Sequence, residues 1–412
     1  MSARLRDNWL ALVFASAGVW TMVYLGLYGF AWTDFDFEVT PAYDALRGGH
    51  LWRFLELVPA YGGAVELRAP FAAAAMLLGG TDQAVFQAVS IPCLIAGALL
   101  GVWLCDQLRA RGASRLARYS ALGLCAANPV TMYACELGHA EELLAAVLCV
   151  AALLLAERGR ATWAGVALGL AIVTKEWALV AIAPMLLALP AGRRQALALT
   201  AGVAAIFYLP FTVAQLASTA GGSTVTALGN AGTIFQPWQL WWFLGAAGHL
   251  VRDQNGVILH GYRQAVPWVA NLSHPLIVAV SVPLTLLAAR FGRAGRGGAD
   301  PLLVLVLVLL LRFLLDPWDV VYYPLPFIVA LTAWEALRLG RPPVLGLLAT
   351  VGTWLTFEYL PSHVSPDVDS AVFLALALPA LGAVSLAIWP WRRREQPART
   401  WRASPATSSA GR

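Results

Sequence analysis

The sequence predicts an all-α polytopic membrane bundle of about twelve spans, with both termini cytoplasmic. Hydrophobic residues fill 59% of the 412 positions and charged ones only 12%. The apolar positions gather into runs of roughly 14 to 22 residues, the range that approaches or crosses about 30 Å of hydrocarbon as helix. Basic residues collect in short turns between those runs, the pattern of the positive-inside rule. A net charge of +5 would suggest nucleic acid in a soluble chain; placed this way it reports topology, and a nucleic-acid partner is discounted.

Taken in order, helices are expected near 9–30, 84–105, 118–134, 141–156, 161–174, 177–190, 196–216, 274–290, 301–315, 322–338, 343–360 and 370–391. The first run is longer than the core of a secretory signal and is read as a retained helix. The piece 70–80 is too short to cross and is assigned as re-entrant or interfacial. With the amino terminus inside, 21 of the 28 basic residues fall on the inner side, including Arg109, Arg111, Arg158, Arg193, Arg338 and Arg341. Counting 70–80 as a crossing would put the basic stretch 109–118 outside. Residues 1–391 then form one transmembrane domain, and 392–412 a disordered basic tail. Five cysteines show no metal spacing and read as small core residues.

Seventeen of the 23 acidic residues land on the outer side. Topology does not require this, since Asp and Glu contribute little to the positive-inside rule. The two long loops, 31–69 and 217–273, also face outward, so function is expected there.

In the first loop Asp34, Asp36 and Glu38 alternate with Phe35 and Phe37. Read as extended chain, the three carboxylates share one face and the two rings turn into the protein. Paired carboxylates raise one another's pKa and poise a general base; the alternative is a solvated acidic loop. Asp34 lies nearer the helix end and is preferred as base, with Asp36 as its electrostatic neighbour. Asp44 sits in a short surface helix at 41–46, ahead of Gly48-Gly49.

A second cluster, Glu136, His139, Glu141 and Glu142, marks the turn between the third and fourth helices. His139 and Glu142 are one helical turn apart and could meet. Substrate hydroxyl binding, a weak zinc signal and a turn capped by acids all remain open. Lys175 is the sole lysine among the 28 basic residues. Its helix rises only about 21 Å, so it stops inside the outer leaflet, where an ammonium needs Glu176, another carboxylate or a lipid phosphate. Arg312 is the one arginine placed within a span, four residues before Asp316; it either pairs with that aspartate or clamps a phosphate. Asp319 and Tyr322 follow in the same turn, and His363, Asp367 and Asp369 lie in a last outer loop. Trp238, Trp241 and Trp242 in the second long loop suit a membrane-interface anchor or a sugar-stacking platform.

Taken together, these motifs resemble the GT-C glycosyltransferases, specifically the polyprenol-phosphate-mannose-dependent mannosyltransferases of glycosyltransferase family 87. The residues that carry the resemblance are Asp34 or Asp36 through Gly48, Gly138-His139-Ala140-Glu141-Glu142, the segment Gly165 to Lys175 with Gly169-Leu170-Ala171, and Asp316 to Tyr323. Each motif is loose by itself, and together they span most of the chain up to about residue 330. Many family members carry Gln and Asn where this chain has His139 and Glu142, and here two aspartates compete for the catalytic place.

The resemblance implies an outer-face enzyme of the cell membrane that moves a hexose, such as mannose, from a polyprenyl-phosphate donor to a lipid-linked or cell-envelope glycan acceptor with inversion. A first-loop acid would serve as base. On this reading Asp34 and Asp36 are catalytic, and Lys175 and Arg312 hold the donor phosphate. Glu38, Asp44, His139, Glu141, Glu142, Asp316, Asp319 and Tyr322 line the substrate site. No metal or cofactor is expected, with a divalent cation as the alternative. A lipid or sugar transporter is the competing class, but no internal repeat with matched broken helices is evident. A non-catalytic scaffold ranks third.

Overall fold

The structure is a computed structural model of the chain and describes residues 3–28, 34–59, 61–218, 234–246, 251–252, 258–259, 261–291 and 300–389. The expected tail at 392–412 and the Gly- and Ser-rich start of the second loop lie outside the described residues.

Helix α1 runs Ala3–Leu27. A π-helical turn, Phe35–Val39, then leads into α2, Thr40–Arg47, followed by α3, Leu51–Leu57, and α4, Gly62–Leu77. Next come α5, Asp82–Ala110; α6, Arg115–Ala126; α7, Pro129–Glu136; α8, Glu141–Glu157; and α9, Ala161–Thr174. A 3₁₀ turn, Glu176–Ala181, enters α10, Ile182–Ala188, and α11 spans Arg193–Ala217. The remainder is α12, Pro267–Phe291; α13, Pro301–Leu315; α14, Leu325–Trp334; α15, Val344–Trp354; and α16, Pro366–Ile388. Strand structure among the described residues is limited to two short antiparallel pairings, 234–235 with 263–264 and 251–252 with 258–259.

All twelve expected runs contain helix. One is broken: 118–134 divides at Asn128, because a residue before proline is pushed out of the α region and the Asn128 side chain caps the Val130 amide at 2.9 Å. Six helical stretches are long and apolar enough to cross a membrane: Asn8–Leu27, Asp82–Ala110, Arg193–Ala217, Asn271–Phe291, Val344–Ser362 and Pro366–Ile388. They make a lipid bilayer the natural solvent of this chain. Trp20, Ile206, Leu209 and Leu286 stand exposed on these outer helices, which hydrocarbon tolerates and water does not. Helix α13 is buried on nearly every side from Leu302 to Leu310 and forms the centre.

Gln83 at the start of α5 donates to the Tyr28 carbonyl at 2.9 Å, while Arg109 near its end donates to Asn8 at the start of α1. The chain leaving α1 therefore returns to the same end of the bundle at α5. Helix α4 starts eight residues earlier than the expected 70–80 piece, and with α2 and α3 it occupies that returning end. At the opposite end Arg111 donates to the Leu337 carbonyl, and neighbouring Arg338 bridges Glu157 and Asp300. Helix α8 joins the two ends, with Glu141 and Glu157 roughly 24 Å apart at 1.5 Å per residue.

Close helix approach depends on small residues. A Cβ on Gly169 of α9 would lie 2.7 Å from Val203 Cβ on α11. All five cysteines are free and buried, as expected of small core residues.

Candidate functional site

At the end of the bundle holding α2–α4, four chain segments bring ionisable side chains together. The turn between α7 and α8 contributes His139, Glu141 and Glu142. Gly138 makes that turn possible: its φ is +90°, and a Cβ there would lie 2.6 Å from the Phe35 amide nitrogen. The same close approach delivers Asp34, whose Oδ2 lies 3.2 Å from His139 Nε2. Asp34 is half exposed at 51%, whereas His139 is buried.

Behind His139 the charges form a buried lattice. Its Nδ1 lies 2.9 Å from Glu141 Oε1, on a carboxylate that is 0% exposed. Lys175 Nζ is 3.2 Å from the same oxygen, 3.5 Å from Glu142 Oε1 and 4.0 Å above the Tyr61 ring. Arg68 of α4 reaches Glu141 Oε2 at 3.1 Å, an ion pair whose angle falls outside hydrogen-bond geometry, and its Nε donates to the Ala64 carbonyl at 3.0 Å. Burying such charges is tolerable only because each carboxylate faces a cation. In the turn, burial and the Lys175 charge oppose the imidazolium of His139. Hydrogen bonds to Asp34 and Glu141 outweigh them and raise its pKa to about 9.

The first-loop acids are arranged differently from the extended reading. The stretch is helical, so Asp34 and Glu38 share a face and Asp36 turns aside, where Thr40 donates to it at 3.5 Å. Phe35 is buried, but Phe37 is 65% exposed. The Tyr61 hydroxyl donates to Glu38, and the Tyr61 ring meets the His139 ring edge-on at 5.7 Å. The acid brought to the cluster beside Asp34 is thus Glu38, not Asp36. Asp44 is not brought there either: it pairs with Arg47 at 2.9 Å, and Arg47 also holds Asp82.

Two further expectations change. His139 meets Glu141, not Glu142, whose Oε2 accepts from the Trp177 indole at 2.9 Å. Lys175 does not open toward lipid; it is buried and already matched by two carboxylates.

Arg312 lies on the far side of Tyr322 and Tyr323. Tyr322 packs 4.9 Å from the His139 ring and stacks on Tyr323 at 5.4 Å; Arg312 sits over the Tyr323 ring at 4.3 Å and over Trp177 at 5.3 Å. It does not pair with Asp316. Its Nη1 donates to the Tyr323 carbonyl at 2.9 Å, its buried Nε has no partner, and it forms no ion pair among the described residues. Asp316 instead accepts the Trp318 amide and faces His274 at 3.5 Å.

Asp319 is sealed rather than lining an open site. It is fully buried, neither carboxyl oxygen has a partner among the described residues, and burial beside Asp316 holds its pKa well above the usual range. The tryptophans expected as an anchor or sugar platform tie the second loop down: Trp238 donates to the Asp319 carbonyl, Trp241 to that of Leu315 and Trp242 to Asp367. Of the last outer loop, Asp367 also pairs with Arg263, and His363 stacks on Tyr359. Among the described residues no group of three or more His, Cys, Asp or Glu has metal-holding geometry.

Arg68, Tyr61, Trp177 and Tyr323 were not anticipated as site residues. The signal for Arg68 was present, a single arginine among Leu67, Ala69 and Pro70. Assigning those residues to a soluble loop concealed it.

A scan against protein-family models matches none, and a search of curated proteins finds no match.

Proposed function

We propose that the protein is an integral membrane glycosyltransferase of the GT-C kind, with twelve spans in the cell membrane, cytoplasmic termini and an outward-facing site. It moves a hexose from a polyprenyl phosphate to a glycan or glycolipid acceptor with inversion. The observation that carries this reading is Asp34, a half-exposed carboxylate fixed through His139 to a buried, charge-matched cluster. A base must be held within about 3 Å of the acceptor hydroxyl, and such anchoring suits it to that task.

In the reaction, the acceptor oxygen attacks the sugar's anomeric carbon as the carbon–oxygen bond to phosphate breaks. The acceptor proton passes to Asp34, and the polyprenyl phosphate leaves with the electron pair. Arg312, a buried guanidinium with no carboxylate partner among the described residues, is the cation suited to the departing phosphate. Lys175 supports the base instead. Glu38, held by the Tyr61 hydroxyl on the face it shares with Asp34, is placed to meet sugar or acceptor hydroxyls.

The test uses the purified full chain in lipid nanodiscs with polyprenyl-phosphate [¹⁴C]mannose and a lipid extract as acceptor. Transfer of label to a new product, abolished by Asp34→Asn with donor binding retained and largely preserved by Asp36→Asn, is the expected result. In liposomes, movement of intact donor between leaflets without a new product would establish a transporter and overturn the reading. Near-normal transfer by Asp34→Asn beside an inactive Asp36→Asn would reassign the base.

A further inference from the structure

The hydrogen bonds around the His139 ring, beside Asp34, favour one protonation state. Both neighbours of the His139 ring nitrogens are carboxylates, Asp34 Oδ2 at 3.2 Å and Glu141 Oε1 at 2.9 Å. An ionised carboxylate only accepts, so making both bonds needs a proton on each nitrogen. A neutral ring with its proton on Nδ1 would set the Nε2 lone pair against the Asp34 carboxylate at 3.2 Å, and one with its proton on Nε2 would have Nδ1 accept from Lys175 at 3.4 Å while its lone pair faced the nearer Glu141 oxygen. That arrangement sets two acceptors against each other at the shorter of the two distances.

Glu141 is kept ionised by two further cations, Arg68 and Lys175, and cannot rotate away from the ring. Of the other groups facing this cluster, Glu142 accepts from Trp177 and Glu38 from Tyr61, and Tyr322 packs on the ring face. Charges in contact then balance: Asp34, Glu141 and Glu142 against His139, Lys175 and Arg68.

We propose that His139 is a resident imidazolium and a positioning residue: it holds Asp34 Oδ2, so that Oδ1 alone is presented to the acceptor hydroxyl. Its charge is maintained by Glu141. The transferred proton therefore ends on Asp34 Oδ1, not on the imidazole, whose nitrogens are both already protonated. The catalytic part of this rests on the glycosyl-transfer reading; the charge state of His139 does not.

The experiment therefore has two arms. In the first, full-length protein carrying ¹³C,¹⁵N-histidine is followed by NMR in nanodiscs, with His139 identified by its loss in His139→Gln. Two protonated ring nitrogens at pH 7.5 are expected, titrating toward pH 9. Asp34→Asn, a change at a half-exposed site, should lower that midpoint by about one unit through loss of one charged partner. A neutral ring at pH 7.5, or a midpoint unmoved by Asp34→Asn, overturns the proposal whether or not the protein transfers sugar.

In the second arm, kcat and KM for the mannosyl donor are measured separately. His139→Gln should lower kcat at least tenfold with donor KM unchanged, the signature of a group that acts on the base and not on donor binding. An unchanged kcat, or a loss that appears in donor KM and not in kcat, overturns the positioning role. Absence of turnover in the parent protein, with the NMR arm positive, would instead reject the glycosyl-transfer reading alone.

Discussion

Replacing Glu141 by Gln is the sharpest single test of the buried lattice, because it keeps the side chain's shape and removes the charge that three cations share. His139, Lys175 and Arg68 lie 2.9, 3.2 and 3.1 Å from its two oxygens. With Glu141 neutral, Asp34 and Glu142 remain against those three cations, and one buried positive charge is left unmatched. Breaking a buried pair in this way typically costs about 3–5 kcal/mol. His139 can relieve part of this by releasing its proton.

The unfolding entropy of a 412-residue chain, at about 2.1 cal/mol/K per residue, is roughly 0.9 kcal/mol/K, so the variant should melt about 3–6 °C lower. Tryptophan-fluorescence melting in detergent at neutral pH reads this directly. The double variant Glu141→Gln, Arg68→Met removes an excess cation together with the anion and should recover more than half of the loss, a coupling that independent sites would lack. A Glu141→Gln protein melting within 1 °C of the parent (about 1 kcal/mol on the same scale), or strict additivity in the double variant, would refute a charge-balanced lattice.

Other perturbations have equally definite outcomes. Gly138→Ala forces a Cβ to within 2.6 Å of the Phe35 amide at a φ of +90°; it should cost about 1–3 kcal/mol in melting experiments and lower transfer by displacing Asp34. Arg312→Met should raise the donor KM by roughly 10- to 100-fold, the worth of about 1.5–3 kcal/mol for hydrogen bonds to a charged group, and a donor KM unchanged in steady-state assays would remove Arg312 from the phosphate site. Stability should also depend on pH through His139, whose folded-state pKa of about 9 lies above the ordinary imidazole value of 6.5. The folded state binds the extra proton, so this contribution is complete below 6.5 and is lost as pH rises through 9. The melting temperature should fall between about pH 7 and 10 in the parent, and His139→Gln should flatten that fall.

Much of the architecture was legible because its cause is local. Run length and polarity mark apolar helices irrespective of what packs on them, and every expected run contains helix. The turn at Gly48-Gly49 was legible for a similar reason: Gly49 adopts φ +75°, and the His50 amide returns to the Ala45 carbonyl at 2.9 Å. The break at Asn128 was local too, since Asn-Pro is a cap followed by a helix start. It went unread because the apolar run continued through it.

The first loop shows why pattern was insufficient for the site. Alternating Asp, Phe, Asp, Phe and Glu has the period of a strand, and nothing in those residues alone forbids one. Contacts from distant segments select the helical turn: Phe35 packs against Phe86 and Tyr43, and Gly138 admits the Phe35 backbone. That choice rotates Asp36 away and pairs Asp34 with Glu38.

By itself, then, the sequence determined the helices, their apolar character and the crowding of acids around one set of turns, since these follow from composition and spacing. Only the tertiary structure decided which charges meet. Lys175 and Arg312 both looked like isolated cations in apolar helix. One is matched by Glu141 and Glu142, which its own neighbour Glu176 gave no reason to expect, and the other lies between Trp177 and Tyr323 without a carboxylate partner among the described residues. Partners 30 or more residues apart in the chain meet only when helices pack, and the strength of a charge pair depends on that distance and on burial, neither of which is written in local sequence.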